Sequence, residues 1–172
     1  SVQLRYANGP EAYMSGEPGQ QAIGIHDISF CPLPDLVLQK TAAPLVTTAG
    51  DPARFNSPGS DVLYSLTVSN NGGSAVDANS IILDDMLPGQ VSFYNGDIDG
   101  AGPLTTAYEF DAGSSGLTLG VSNLSFSNNG GGSYAYSPAS GYDAAVNAIR
   151  LAPQGTMAPN STFTIRFRAQ VK

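Results

Sequence analysis

Apolar positions in this chain recur with period two, and no helical period runs beyond about two turns. Across residues 61–69, Val62, Tyr64, Leu66 and Val68 alternate with Asp61, Ser65, Thr67 and Ser69, and Leu63 is the one breach. Such alternation marks a half-buried strand, because successive side chains of an extended chain point to opposite faces. Asn70-Asn71-Gly72-Gly73 follows, and these residue types accept positive φ at little cost, so the chain turns there. Ile81, Ile82 and Leu83 supply a second strand, and Pro88-Gly89 stops it, since proline donates nothing to a ladder. The last strand is the clearest. Phe163, Ile165, Phe167, Ala169 and Val171 alternate with Thr162, Thr164, Arg166, Arg168 and Gln170.

Shorter signals fill the interval. Leu36 and Leu38 open a first strand, and residues 42–60 read as a loop rich in Pro, Ala, Thr and Gly. Val91 with Phe93, Tyr108 with Phe110, and Ile149 with Leu151 each suggest a short strand. Leu117, Leu119 and Val121, then Leu124 and Phe126, suggest two short strands or one bent one. Residues 128–132 read as a hairpin tip, with Tyr134 and Tyr136 on the return. Residues 143–150 allow one helical turn at most. Many short strands between Gly and Asn turns predict an all-β fold, an Ig-like antiparallel β-sandwich over residues 35–172.

A resemblance supports that class. Leu38-Gln39-Lys40-Thr41, Pro58-Gly59, Val62-Leu63-Tyr64, Thr67-Val68-Ser69-Asn70 and Asp85-Met86-Leu87-Pro88 occur in an order that resembles the conserved repeat domain of bacterial surface proteins. Asp51-Pro52 and Val76-Asp77-Ala78 fit the same pattern, and the match runs over roughly residues 36–95. The resemblance implies an Ig-like domain of secreted or wall-bound chains, where such domains usually stand in tandem. Here there is one copy, preceded by an extension that the pattern does not contain.

Composition narrows the function. Only 12% of the 172 residues are charged and the net charge is −7. The polar surface therefore comes from Ser, Thr, Asn and Gln, as is usual in secreted β proteins. With two lysines, Lys40 and Lys172, there is no basic stripe for nucleic acid. No apolar run approaches the ~20 residues that span a bilayer, so membrane insertion is not expected. The chain opens on Ser1 rather than Met, which fits removal of a leader peptide or a trimmed chain. The lone Cys31 excludes an internal disulfide, leaving a buried apolar thiol or an intermolecular link. If the chain is bacterial, as the resemblance implies, the sequons at Asn123 and Asn160 carry no weight.

Catalytic patterns are weak. His26 is the single histidine, and its neighbour Asp27 would point to the opposite face of a strand; no triad follows. One His and one Cys do not make a zinc site. Asp84 and Asp85 are adjacent, so only one of them faces any given site. Asp97 and Asp99 begin something like a calcium loop, but Thr106 stands where a bidentate acid belongs. Gly130–Gly132 lacks the Lys-Ser or Lys-Thr of a phosphate loop. Tyr134, Tyr136 and Tyr142 lie close in sequence and are candidates for stacking on a glycan. An isopeptide crosslink from Lys40 would need an Asn opposite it, and the last strand has none.

The first 34 residues depart most from a plain sandwich. Val2, Leu4 and Tyr6 share one strand phase against Gln3 and Arg5. A polar, Gly- and Pro-containing linker follows over residues 8–21. Ile23 and Ile25 share one phase and Ile28 and Phe30 the other, which a bulge or bend at His26-Asp27 would reconcile, before the stiff Cys31-Pro32-Leu33-Pro34. These segments either fold back as edge strands or are donated to a neighbouring copy. Burial of each apolar donor is worth roughly 1.5–3 kcal/mol, and ladder hydrogen bonds add to it. The sequence therefore predicts an extracellular, non-enzymatic structural subunit that assembles head-to-tail into a filament or surface layer. No cofactor is expected. The alternatives are a monomeric stalk or a glycan-binding module.

Overall fold

The alternating stretches become strands in the computed structural model, which describes residues 32–45, 57–98 and 106–172. Val2, Leu4, Tyr6, Ile23, Ile25, Ile28 and Phe30 lie outside the described residues, as do His26, Cys31 and Asp99. The described strands are β1 (Leu36–Leu45), β2 (Asp61–Asn70), β3 (Leu83–Met86), β4 (Val91–Asn95) and β5 (Tyr108–Asp111). They continue with β6 (Leu124–Ser127), β7 (Gly141–Asp143), β8 (Ala148–Leu151) and β9 (Ser161–Val171). All pairings between them are antiparallel. No α-helix occurs among the described residues.

A large sheet runs β1-β2-β9-β4-β7, and a small sheet runs β3-β8-β6. β9 is the axis of the large sheet. One of its edges pairs with all of β2, from Asp61↔Gln170 to Asn70↔Ser161. Its other edge is shared, β5 taking Thr164–Phe167 and β4 taking Ala169–Val171. The inward residues of β9 (Phe163, Ile165, Phe167, Ala169) are buried, so the predicted register of this strand holds.

The two sheets bury one core. Leu66, Phe93, Phe163, Ile165 and Phe167 come from the large sheet, and Ile149 and Leu151 from the small one. The Phe93 and Phe126 rings meet across the sheets at 5.2 Å between centroids. The fold is thus an antiparallel β-sandwich, with polar side chains outside. There Thr67 bonds to Thr164 (3.1 Å) and Ser69 to Thr162 (3.0 Å).

Five expectations are corrected. β1 runs on to Leu45, so residues 42–45 are strand and not loop, with Pro44 tolerated at a sheet edge. The second run forms its strand at Leu83–Met86, after Ile81 and Ile82, because residues 83–86 are those that pair with β8. The return after the glycine tip is not a strand. β6 pairs with β8, and Tyr136 makes only a single bridge to Phe126. Residues 143–150 hold the end of β7, a turn and β8, with no helical turn, because Val146, Ala148, Ile149 and Leu151 all bury in the core. Of the bent segment, residues 124–127 are strand, while 121–123 form a 3₁₀ turn and Thr118 bridges Gln154.

Candidate functional site

The site is built at the open side of the sandwich, where β1 and β3 are the outermost strands of their sheets. Among the described residues β1 pairs only with β2, and β3 only with β8. Register assigns the faces. Leu36, Leu38 and Lys40 stand opposite Asn70, Val68 and Leu66, all buried, so these β1 residues point inward. An inward leucine is normally covered. Here Leu36 is 46% exposed and Leu38 is 55% exposed. Among the described residues the small sheet stops at β3 and does not reach over them.

What remains is a groove of about 290 Å³. Leu36, Leu38 and Val68 form one wall, and Val76, Ile81 and Ile82 face them. Ile82 is 58% exposed. The lining is almost wholly apolar, and exposed apolar surface of this kind beside open strand edges is the pattern that other chains recognise.

A polar contact stands beside each end of the Leu36–Leu38 wall. At one end Asn70 is fully buried and all its side-chain capacity is used. Its Oδ1 accepts from the Asp35 N–H (3.1 Å) and the Gly72 N–H (3.0 Å). Its Nδ2 donates to the carbonyls of Ser74 (2.9 Å) and Ala158 (3.1 Å). A Cβ at Gly72 would run into the Leu33 carbonyl oxygen and the Asp35 nitrogen, and one at Gly73 into Pro32. The backbone of residues 32–35 therefore lies directly on this glycine turn, and the chain enters β1 beside the groove.

At the other end Lys40 Nζ meets Asp85 Oδ1 at 2.6 Å and Oδ2 at 2.8 Å. The ammonium also lies 4.7 Å from the centre of the Tyr64 ring, a favourable cation–π distance. Burial, with the Asp85 charge added, raises the pKa of Tyr64. Asp84 points the other way and is held by Arg150 at 2.7 Å on the small sheet's outer face. The adjacent aspartates thus face opposite sides, as strand geometry requires. The group opposite Lys40 is the Asp85 carboxylate of β3.

A second polar cluster lies on the outer face of the large sheet. The Tyr142 hydroxyl donates to Asp61 Oδ1 (2.7 Å), and Arg168 donates to Tyr142 and to Asp61 Oδ2 (2.6 Å). The guanidinium carbon sits 4.2 Å from the Tyr94 ring centre, and the Tyr94 and Tyr142 rings pack at 4.8 Å between centroids, tilted by 49°. Burial first, then the Asp61 hydrogen bond, push the Tyr142 pKa up to about 12.

The candidate glycan tyrosines are not brought together. Tyr142 belongs to this large-sheet cluster, Tyr134 lies under Arg150 at 4.1 Å, and Tyr136 donates to Asp143 (2.9 Å). Burial would raise the Asp143 pKa, but the Ala139 and Ala145 amides and the Tyr136 hydroxyl outweigh it and hold the carboxyl below its usual range. No group of three or more His, Cys, Asp and Glu residues that could hold a metal occurs among the described residues. No protein-family model, no curated protein and no solved structure matches the chain.

Proposed function

We propose that this chain is a secreted, non-enzymatic structural subunit, an Ig-like domain of the bacterial surface-protein kind, which self-assembles into an extracellular filament or layer. Assembly proceeds by donation of a strand from the N-terminal arm to a neighbouring copy. The observation that carries this reading is the exposure of Leu36 and Leu38 on the inward face of β1. Apolar side chains on an inward face are stable partners for an added strand, and a head-to-tail contact of that kind propagates. The arm supplies Val2, Leu4 and Tyr6 in one strand phase.

Negative-stain electron microscopy of the full chain beside a Val2→Ser/Leu4→Ser/Tyr6→Ser variant tests the reading. Filaments or sheets from the former and single particles from the latter support it. Single particles in both samples overturn it.

A monomeric glycan-binding module is the second reading, favoured by the Tyr94–Tyr142 pair beside Arg168 on the outer face. Saturable glycan binding that is lost on Tyr142→Ala would favour it.

A further inference from the structure

Among the described residues two strand edges are unpaired on this side of the sandwich, and they are not equivalent. A strand added to the outer edge of β1 would extend the large sheet past Leu36 and Leu38. Nothing described in the small sheet would face its inward side chains. A strand added beside β3 would lie opposite the inner face of β1 instead. Its inward side chains would cover Leu36, Leu38 and Val68 and complete the sandwich.

We infer that the groove between β1 and β3 receives residues Val2–Tyr6 of a second copy as a fourth strand of the small sheet, paired with β3. This rests on the strand-donation reading and adds to it the acceptor site, the donor segment and the pairing edge.

The apolar pattern of the arm fits the groove. Its β1 wall is Leu36 and Leu38, and its opposite wall ends on Leu83, the first residue of β3. Val2 to Tyr6 carries three apolar side chains in one phase, enough to cover the alternate inward positions 36 and 38, and Gln3 and Arg5 turn to solvent.

Tether length points the same way. Tyr6 precedes Pro32 by 26 residues (32 − 6), which can span at most about 85 Å. A domain of this size is roughly 35 to 40 Å across. Ile23 precedes Pro32 by nine residues (32 − 23), about 30 Å at full extension, and Pro32 itself is anchored on the glycine turn of its own domain. Only the Val2–Tyr6 segment has the slack to cross to another copy in any mutual arrangement.

The test is site-specific crosslinking of full-length chains in a Cys31→Ser background. A Leu4→Cys chain is mixed with an Ile82→Cys chain and treated with a short bis-maleimide. A parallel mixture replaces the second chain by Val37→Cys, on the outer face of β1. A Leu4–Ile82 link between chains, with little or no link to Val37, is the expected result. A Leu4–Val37 link in preference would place the arm on the β1 edge and overturn the inference while leaving strand donation standing. Oligomers that form without either link would likewise overturn the groove assignment alone. A Leu4→Cys/Ile82→Cys chain that links only to itself when dilute would show the arm folded back and overturn it. No oligomer in any sample would remove the strand-donation reading as well.

Discussion

Lys40 Nζ lies 2.6 Å from Asp85 Oδ1, joining the first strand of the large sheet to the first strand of the small sheet at their open side. The Asp85 side chain is nearly buried, while that of Lys40 is about a third exposed. Breaking a fully buried pair costs about 3–5 kcal/mol, and an exposed pair is worth under about 1 kcal/mol. Lys40→Met leaves a buried carboxylate without its cation and should cost about 1–3 kcal/mol, between those limits. Lys40→Met/Asp85→Leu removes both charges and should recover most of the loss. Urea unfolding of the three chains measures this; a double variant as unstable as the single one would contradict it.

Asn70 joins three segments that are distant in sequence, through bonds to Asp35, Gly72, Ser74 and Ala158. Asn70→Ala leaves these backbone groups to find other partners at about 1–3 kcal/mol for each that stays buried and unpaired. The expected outcome is a large fall in the urea midpoint together with faster amide exchange at Asp35 and Gly72. A midpoint within error of the parent would contradict the role given to this residue.

Tyr142 should titrate far above an ordinary tyrosine. Its folded pKa is about 12 against 10.0 for an ordinary tyrosine, so the folded chain holds this proton more tightly than the unfolded chain. The stability it contributes is fully present below pH 10 and is lost as the pH rises through about 12. Subtracting the tyrosinate absorbance of a Tyr142→Phe chain from that of the parent should leave one transition near pH 12. A difference curve centred near 10 would contradict the Asp61–Tyr142–Arg168 arrangement.

Much of the large sheet was legible because its strands announce themselves by period two. β9 and β2 pair along almost their whole length, and both alternations read correctly from the residues alone. The small sheet was harder. β3 carries Asp84 and Asp85 in its centre, so its pattern looks polar, and only the Lys40 and Arg150 partners, 45 and 66 residues away, make those charges acceptable in a strand. The glycine run at 130–132 suggested a hairpin, but pairing was decided by Ile149 and Leu151, which bury against the core and draw β6 to β8. The groove had a partial signal in Leu36 and Leu38. That they would stay exposed depends on where the small sheet ends, and no local pattern encodes it. Asn70 read as a turn residue, and its buried four-bond role follows from contacts with residues 35 and 158 that sequence spacing does not show.

Sedimentation velocity of the full-length chain over a wide concentration range tests the central claim most directly. Strand donation predicts a weight-average sedimentation coefficient that rises with concentration past that of a dimer, and a Leu4→Asp chain that stays monomeric throughout. A single, concentration-independent monomer for the full-length chain would contradict the account.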